Sequence, residues 1–141
     1  MFHPKLHLHL LIILIAAVIT ACGGRSGHTR LPIGYVDAPA LSGQAVLHGN
    51  AIFEGWALAD DGIEEVAVYM DRQYLASART GLDRPDVAKS LPNEPNSVKA
   101  GWRASVDVSN LTPGLHQFVV QATAKSGSNR DIGAFQATIV K

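Results

Sequence analysis

The sequence predicts an all-β fold, a two-sheet sandwich of about seven short strands following an N-terminal signal helix. Two observations carry the sandwich. After Ala45 the chain becomes a series of short runs in which apolar and polar residues alternate, the period of a half-buried strand. Turn-forming groups separate those runs, and no segment of about a dozen residues carries an apolar stripe at helical spacing. A third observation sets the signal segment apart: an uninterrupted apolar run near the start of the chain ends just before the only cysteine.

That first segment can be read physically. Lys5 gives a positive start, residues 10–19 are all apolar, and Thr20-Ala21 place small residues ahead of Cys22, the layout of a signal peptide. A ten-residue helix rises about 15 Å, roughly half the hydrocarbon thickness of a bilayer, so a permanent transmembrane anchor is the weaker reading. Ile19-Thr20-Ala21-Cys22 resembles a bacterial lipobox. The resemblance implies that the Cys22 thiol receives a diacylglyceryl group, that the chain is cut just before it, and that the new amino terminus is acylated. Two or three acyl chains anchor stably where one holds only marginally. In enterobacterial sorting an Asp after the cysteine retains the protein at the inner membrane. Gly23 stands there, so the resemblance implies a cell-envelope protein, at the outer membrane if the host has one.

Residues 23–45 hold five glycines and two prolines without sustained periodicity, and the first dozen read as a flexible tether. The expected organisation is a signal peptide at 1–21, a tether at 22–35 and the sandwich at 36–141.

Within the sandwich, residues 51–58 form a strand that turns at Asp60-Asp61-Gly62 into residues 63–70, where Val66, Val68 and Met70 share a face. Asp71-Arg72-Gln73 turns the chain into residues 74–79, giving a hairpin. A long irregular segment at 80–101 follows. Trp102, Ala104, Val106 and Val108 then alternate against Arg103, Ser105 and Asp107. The turn ending at Gly114 leads into residues 115–124, with Phe118, Val120 and Ala122 inward, and residues 131–140 supply the last strand, with Phe135, Ala137 and Ile139 on one side.

GWALADDGIEEVAVYMD and NLTPGLHQFVVQATAKSGSNRD resemble the bacterial immunoglobulin-like domains of exported proteins. Those domains show an Asp-rich turn ending in Gly-Ile, a Val-x-Val-Tyr-x-Asp strand and a Leu-x-x-Gly-x-His strand entry. The resemblance spans residues 33–141 and implies an immunoglobulin-like or fibronectin-III-like β-sandwich. Such a sandwich hosts many unrelated roles. The segment GLDRPDVAKSLPNEPNSVKAGW resembles a variant carried as an accessory module on extracytoplasmic proteins.

Composition narrows the function. Without residues 1–21 the chain has eleven Lys+Arg against twelve Asp+Glu, so there is no basic field to hold nucleic acid. With Cys22 committed to lipid no thiol remains for a disulfide, and one hydrophobic core must hold the domain.

The candidate recognition surface comprises Trp56, Tyr69, Arg84, Asp86 and Asn96. If Phe53, Gly55 and Ala57 face inward, then Ile52, Trp56 and Leu58 form an outward apolar stripe that something should cover. Either the stiff, proline-rich 84–96 loop folds across Trp56 as part of the packing, or Trp56, alone or with Tyr69, contacts a glycan or protein partner. His116, two residues after Gly114, matches the corner position that bonds nearby backbone in related sandwiches. No serine lies in a Gly-x-Ser-x-Gly or Ser-x-x-Lys frame, and no zinc-type spacing occurs, so no catalytic or metal residue is nominated.

An enzyme reading has only Asp83, Asp86 and Glu94 to offer, and these would have to converge in a cleft. Asp60, Asp61, Asp83, Asp86, Glu94 and Asn96 offer oxygens to calcium but match no calcium-loop pattern, and Asp in a turn more often caps backbone. The expected protein is therefore a non-enzymatic lipoprotein without cofactor beyond its lipid, its module binding a protein or polysaccharide or acting as a spacer. The alternative is a small envelope enzyme or enzyme subunit using the acids of the 80–101 loop.

Overall fold

The computed structural model describes residues 30–40 and 44–141. The expected signal peptide, Cys22 and all but the end of the expected tether lie outside the described residues. Nine strands, one helix and one 3-10 turn are present among them: β1 (Ile33–Ala38), β2 (Ala45–Leu47), β3 (Asn50–Leu58), β4 (Ile63–Met70), β5 (Gln73–Ser77), β6 (Arg79–Leu82), α1 (Pro85–Ser90), the 3-10 turn (Ser97–Lys99), β7 (Gly101–Asp107), β8 (Gly114–Ala124) and β9 (Asn129–Ile139). The chain is an all-β sandwich. One sheet runs β1-β3-β7-β6 and the other β2-β9-β8-β4-β5, and every pairing is antiparallel except β2 with β9.

The period-two pattern buries what it predicts. Phe53, Ala57, Val66, Val68, Trp102, Ala104, Phe118, Val120, Ala137 and Ile139 fill the space between the sheets. At its centre the rings of Phe53, Phe118 and Phe135 meet with centroids 5.6 to 6.2 Å apart, in tilted and stacked arrangements. Large buried side chains of this kind are the main source of stability in a domain with no thiol to cross-link.

Four sequence expectations change. Residues 33–38 and 45–47 are strands although they show little alternation, and β1 starts inside the stretch expected to be tether. Both are edge strands, so each is held largely by one neighbour, β3 or β9, rather than by its own pattern. The expected strand at 74–79 is two strands in different sheets, the chain crossing at Ala78. The 80–101 segment, expected as a stiff loop without regular structure, contains regular elements. It completes β6 and then makes α1 and the 3-10 turn before entering β7. Pro85 opens α1, where a missing backbone N–H costs nothing, and the helix is too short to carry a stripe readable from sequence.

The β4–β5 hairpin turns as expected at Asp71 and Arg72, both with positive φ (50° and 71°) and neither a glycine. Asp71 offsets that strain. Its Oδ1 accepts from Gln117 N at 3.0 Å and its Oδ2 from His116 Nδ1 at 2.7 Å, while its own N–H donates to Gln117 O at 2.9 Å.

Candidate functional site

The sequence residues singled out as a recognition surface fall on two opposite faces. Trp56 lies on β3 and projects from the outer face of the four-stranded sheet, since its neighbours Gly55 and Ala57 face the core. Tyr69 lies on β4 in the other sheet, between the core residues Val68 and Met70, so it projects from the opposite outer face. There it meets Tyr74 edge-to-face at 5.9 Å. A joint Trp56–Tyr69 platform is thus overturned: each tyrosine or tryptophan serves its own sheet.

The 84–96 segment folds onto the apolar stripe. Leu58, Val87 and Ala100 form a small buried cluster against which Ile33, Trp56 and Leu91 pack, so α1 and its following turn cover Leu58 and half-bury Trp56. Tyr35, directly opposite Trp56 on β1, stays 48% exposed. A shallow groove of about 270 Å³ remains on the uncovered flank, between Trp56, Pro32, Ile33 and the Arg130–Ile132 stretch of β9.

Arg84 fixes the cover in place. Its Nε and Nη2 donate to the two carboxylate oxygens of Asp86 at 2.9 and 2.7 Å, and its Nη1 donates to Asp37 of β1 at 2.7 Å. Bidentate pairing with Arg84 draws the Asp86 carboxyl down to about 2. The Arg84 backbone N–H also bonds Val98 O at 2.8 Å, closing the loop on itself. Asn96 caps the 3-10 turn in a left-handed conformation (φ 60°), which asparagine tolerates better than most residues.

The loop acids do not share a partner. Asp83 pairs with Lys99 at 2.6 Å, Asp86 with Arg84, and Glu94 with Arg30 at 2.5 Å. Arg30 also binds Asp60 at 2.7 Å, and these two carboxylates hold its guanidinium protonated far above the usual range. Among the described residues no three His, Cys, Asp or Glu side chains gather as a metal site. Asp60 and Glu94, considered for calcium, meet around an arginine.

His116 is the corner residue the sequence suggested, with one partner the sequence did not show. Its Nε2 faces Thr112 O at 2.7 Å and its Nδ1 faces Asp71. Acceptors on both nitrogens favour the doubly protonated ring and raise its pKa above the ordinary 6.5, the Asp71 hydrogen bond contributing most.

Three features escaped sequence reasoning: the Arg30 clamp, the Arg84–Asp37 link, and a half-open pocket of about 220 Å³ bordered by Leu58, Ala59, Lys99 and Lys125. All join residues distant in the chain, and no local pattern marks them.

Neither a protein-family profile nor a curated protein sequence matches the chain. Solved structures do match in shape. An endo-β-1,4-mannanase from Thermotoga petrophila is similar over 79% of this chain at 9% identity, with a TM-score of 0.54, and the chain spans 20% of that protein's length. Fibronectin(III)-like modules of Clostridium thermocellum CbhA are similar over 77% of this chain and 45% of theirs, at 14% identity and a TM-score of 0.48. CopC from Methylosinus trichosporium OB3b is similar over 75% of this chain and 92% of its own, at 10% identity and a TM-score of 0.39. At such identities the likeness is one of fold. The chain carries a small β-sandwich module.

Proposed function

We propose that this protein is a membrane-anchored bacterial lipoprotein whose single sandwich acts as a non-enzymatic accessory or spacer module of the cell envelope. The observation that carries the reading is the position of Arg30. It is docked to Asp60 and Glu94 only eight residues after Cys22, the residue that would bear the lipid. Eight residues fully extended span at most about 29 Å. A lipid on Cys22 would therefore hold the sandwich close against the bilayer surface, at a distance too short for it to cross a periplasm.

The partner surface under this reading is the outer face around Trp56 and Tyr35, where aromatic rings stand beside a groove and suit a polysaccharide or a protein segment. The separate pairing of Asp83, Asp86 and Glu94 with Lys99, Arg84 and Arg30 supports a binding or spacing role over one based on paired acids. Among the described residues no helix is long and apolar enough to cross a membrane.

The test is Cys22→Ser expressed beside wild type in a bacterial host supplied with labelled palmitate. Wild type should take up label and sediment with membranes, whereas the variant should do neither. A variant that still sediments with membranes and incorporates as much label overturns the reading.

A further inference from the structure

The outer face of the four-stranded sheet carries an open recess of about 260 Å³ beside the Tyr35–Trp56 row. Its floor includes Gly101, which β7 sets directly opposite Trp56 of β3. A Cβ at Gly101 would lie 2.8 Å from Leu82 O and 3.0 Å from Cγ of Arg84, so any side chain there would crowd the space. The walls are Leu82, Asp37, Glu54, Asp83, Arg84 and Arg103. Glu54 and Arg103 face each other across the sheet two residues from Trp56 and Gly101, hence on the same outer face. On the other flank of Trp56 stands Tyr35, 48% exposed, so an aromatic pair adjoins a polar hollow.

Charge and hydrogen-bonding capacity give the occupant its chemistry. Every charged wall group is already met by its opposite: Asp37 by Arg84 at 2.7 Å, Glu54 by Arg103 at 3.5 Å, and Asp83 by Lys99 at 2.6 Å. Little field is left over to select an ion. Hydrogen-bonding capacity does remain. A guanidinium has five N–H donors, and Arg84 uses three of them on Asp37 and Asp86, while a carboxylate keeps lone pairs after accepting one bond. Donors and acceptors side by side suit a hydroxyl, which does both, better than a carboxylate or an ammonium, which does one. A protein segment would need an apolar pocket for an anchoring side chain, and Leu82 is the only apolar residue among those six walls.

We propose that this face binds a neutral polysaccharide. The C–H face of one sugar ring packs on Tyr35, whose ring face is electron-rich, and the hydroxyls of a neighbouring ring bond Arg84, Arg103, Asp37 and Glu54 in the recess. Its volume lies below the roughly 300–1,000 Å³ of sites that enclose a whole small ligand, so it takes part of a chain that continues across the sheet. The proposal rests on the reading of this face as the partner surface and is independent of the lipid on Cys22.

The intact chain, in a polyoxyethylene detergent that carries no sugar, is titrated with cellohexaose, with mannohexaose and with the acidic hexagalacturonate. Binding is read by calorimetry and by the backbone amide signals of Gly55 and Gly101 in a nitrogen-15 correlation spectrum. At least one neutral hexasaccharide should bind saturably and shift both glycine signals, while the signals of Tyr69 and Tyr74 on the opposite face stay in place. High salt should leave that affinity within about twofold, as expected where no net charge is neutralised. Tyr35→Ala should weaken it about tenfold, Tyr35→Phe less than about twofold, and Arg103→Ala about threefold or more. All three variants should melt within a few degrees of wild type. A Cys22→Ser chain should bind as wild type does, so failure of the lipid anchor and failure of the sugar site are read separately.

No saturable binding of either neutral hexasaccharide overturns the proposal, as does tighter binding of the acid. Affinity indifferent to Tyr35→Ala, or shifts confined to the Tyr69–Tyr74 face, also overturns it. A random decapeptide library that moves the Gly55 and Gly101 signals when no sugar does assigns the face to a protein segment instead.

Discussion

A methyl group at Gly55 has nowhere to go. A Cβ there would lie 2.0 Å from the Tyr35 carbonyl oxygen and 2.8 Å from Cζ2 of Trp102, contacts that require β1 or the core to shift. Overpacking of this kind costs about 1–3 kcal/mol. Gly55→Ala should lower the urea midpoint by a corresponding amount with the m-value unchanged, and a loss below about 0.5 kcal/mol would show that β1 yields easily.

The His116–Asp71 pair makes a prediction with a sign. His116 is raised above its ordinary 6.5, so its stabilising contribution is complete below that value and is lost as pH rises through the folded value. Asp71 is lowered from 3.8, first by its hydrogen bond from His116, so its contribution is present above 3.8 and lost as pH falls through the folded value. The pair therefore stabilises most between about pH 4 and 6.5. Between pH 6 and 8 the melting temperature of wild type should fall more steeply than that of His116→Gln or Asp71→Asn. Equal slopes would remove the pair as the cause.

At the scale of elements, α1 is a six-residue helix with one buried side chain, Val87. A helix this short does not hold itself together in water, so its order depends on Val87 packing with Leu58 and Ala100, and on the Arg84 link to Asp37. Val87→Ala should cost roughly 1–3 kcal/mol by loss of that buried contact. Because the cluster is separate from the main core, the loss should be local. Hydrogen exchange should quicken across residues 84–99 while β4 and β8 keep their protection, and uniform quickening would show that the loop and the sandwich unfold as one unit. The same element shows how far sequence reading reaches. The outward stripe of Ile52, Trp56 and Leu58 signalled that a cover was needed, and its proline-rich sequence marked residues 84–96 as the cover. The identities of Val87 and Leu91 as the contacting groups were not legible, since two apolar residues in a polar loop have no periodicity to betray them. Strands β1 and β2 were missed for a related reason. An edge strand needs only one partner and its turn of apolar residues is too brief to stand out, whereas β7, β8 and β9 alternate long enough to be read directly.

Across the whole molecule, the core of Phe53, Phe118 and Phe135 was implicit in three separate alternating runs, but their meeting at 5.6 to 6.2 Å is a product of how two sheets face each other. The half-open pocket beside Leu58 and the clamp at Arg30 lie at the same end of the sandwich, where Ala59 lines the pocket and its neighbour Asp60 binds Arg30. Already legible along the chain were the all-β class, the inward face of each long strand, the hairpin at Asp71 and the corner role of His116. These follow from spacing over a few residues, which local sterics and burial translate directly into structure. Sheet pairing and sandwich closure settled that Trp56 and Tyr69 stand on opposite faces, that Glu94 and Asp60 meet around Arg30, and that Arg84 reaches Asp37. Each of those depends on residues from different elements being brought to their places, and no local pattern encodes which distant side chains will meet.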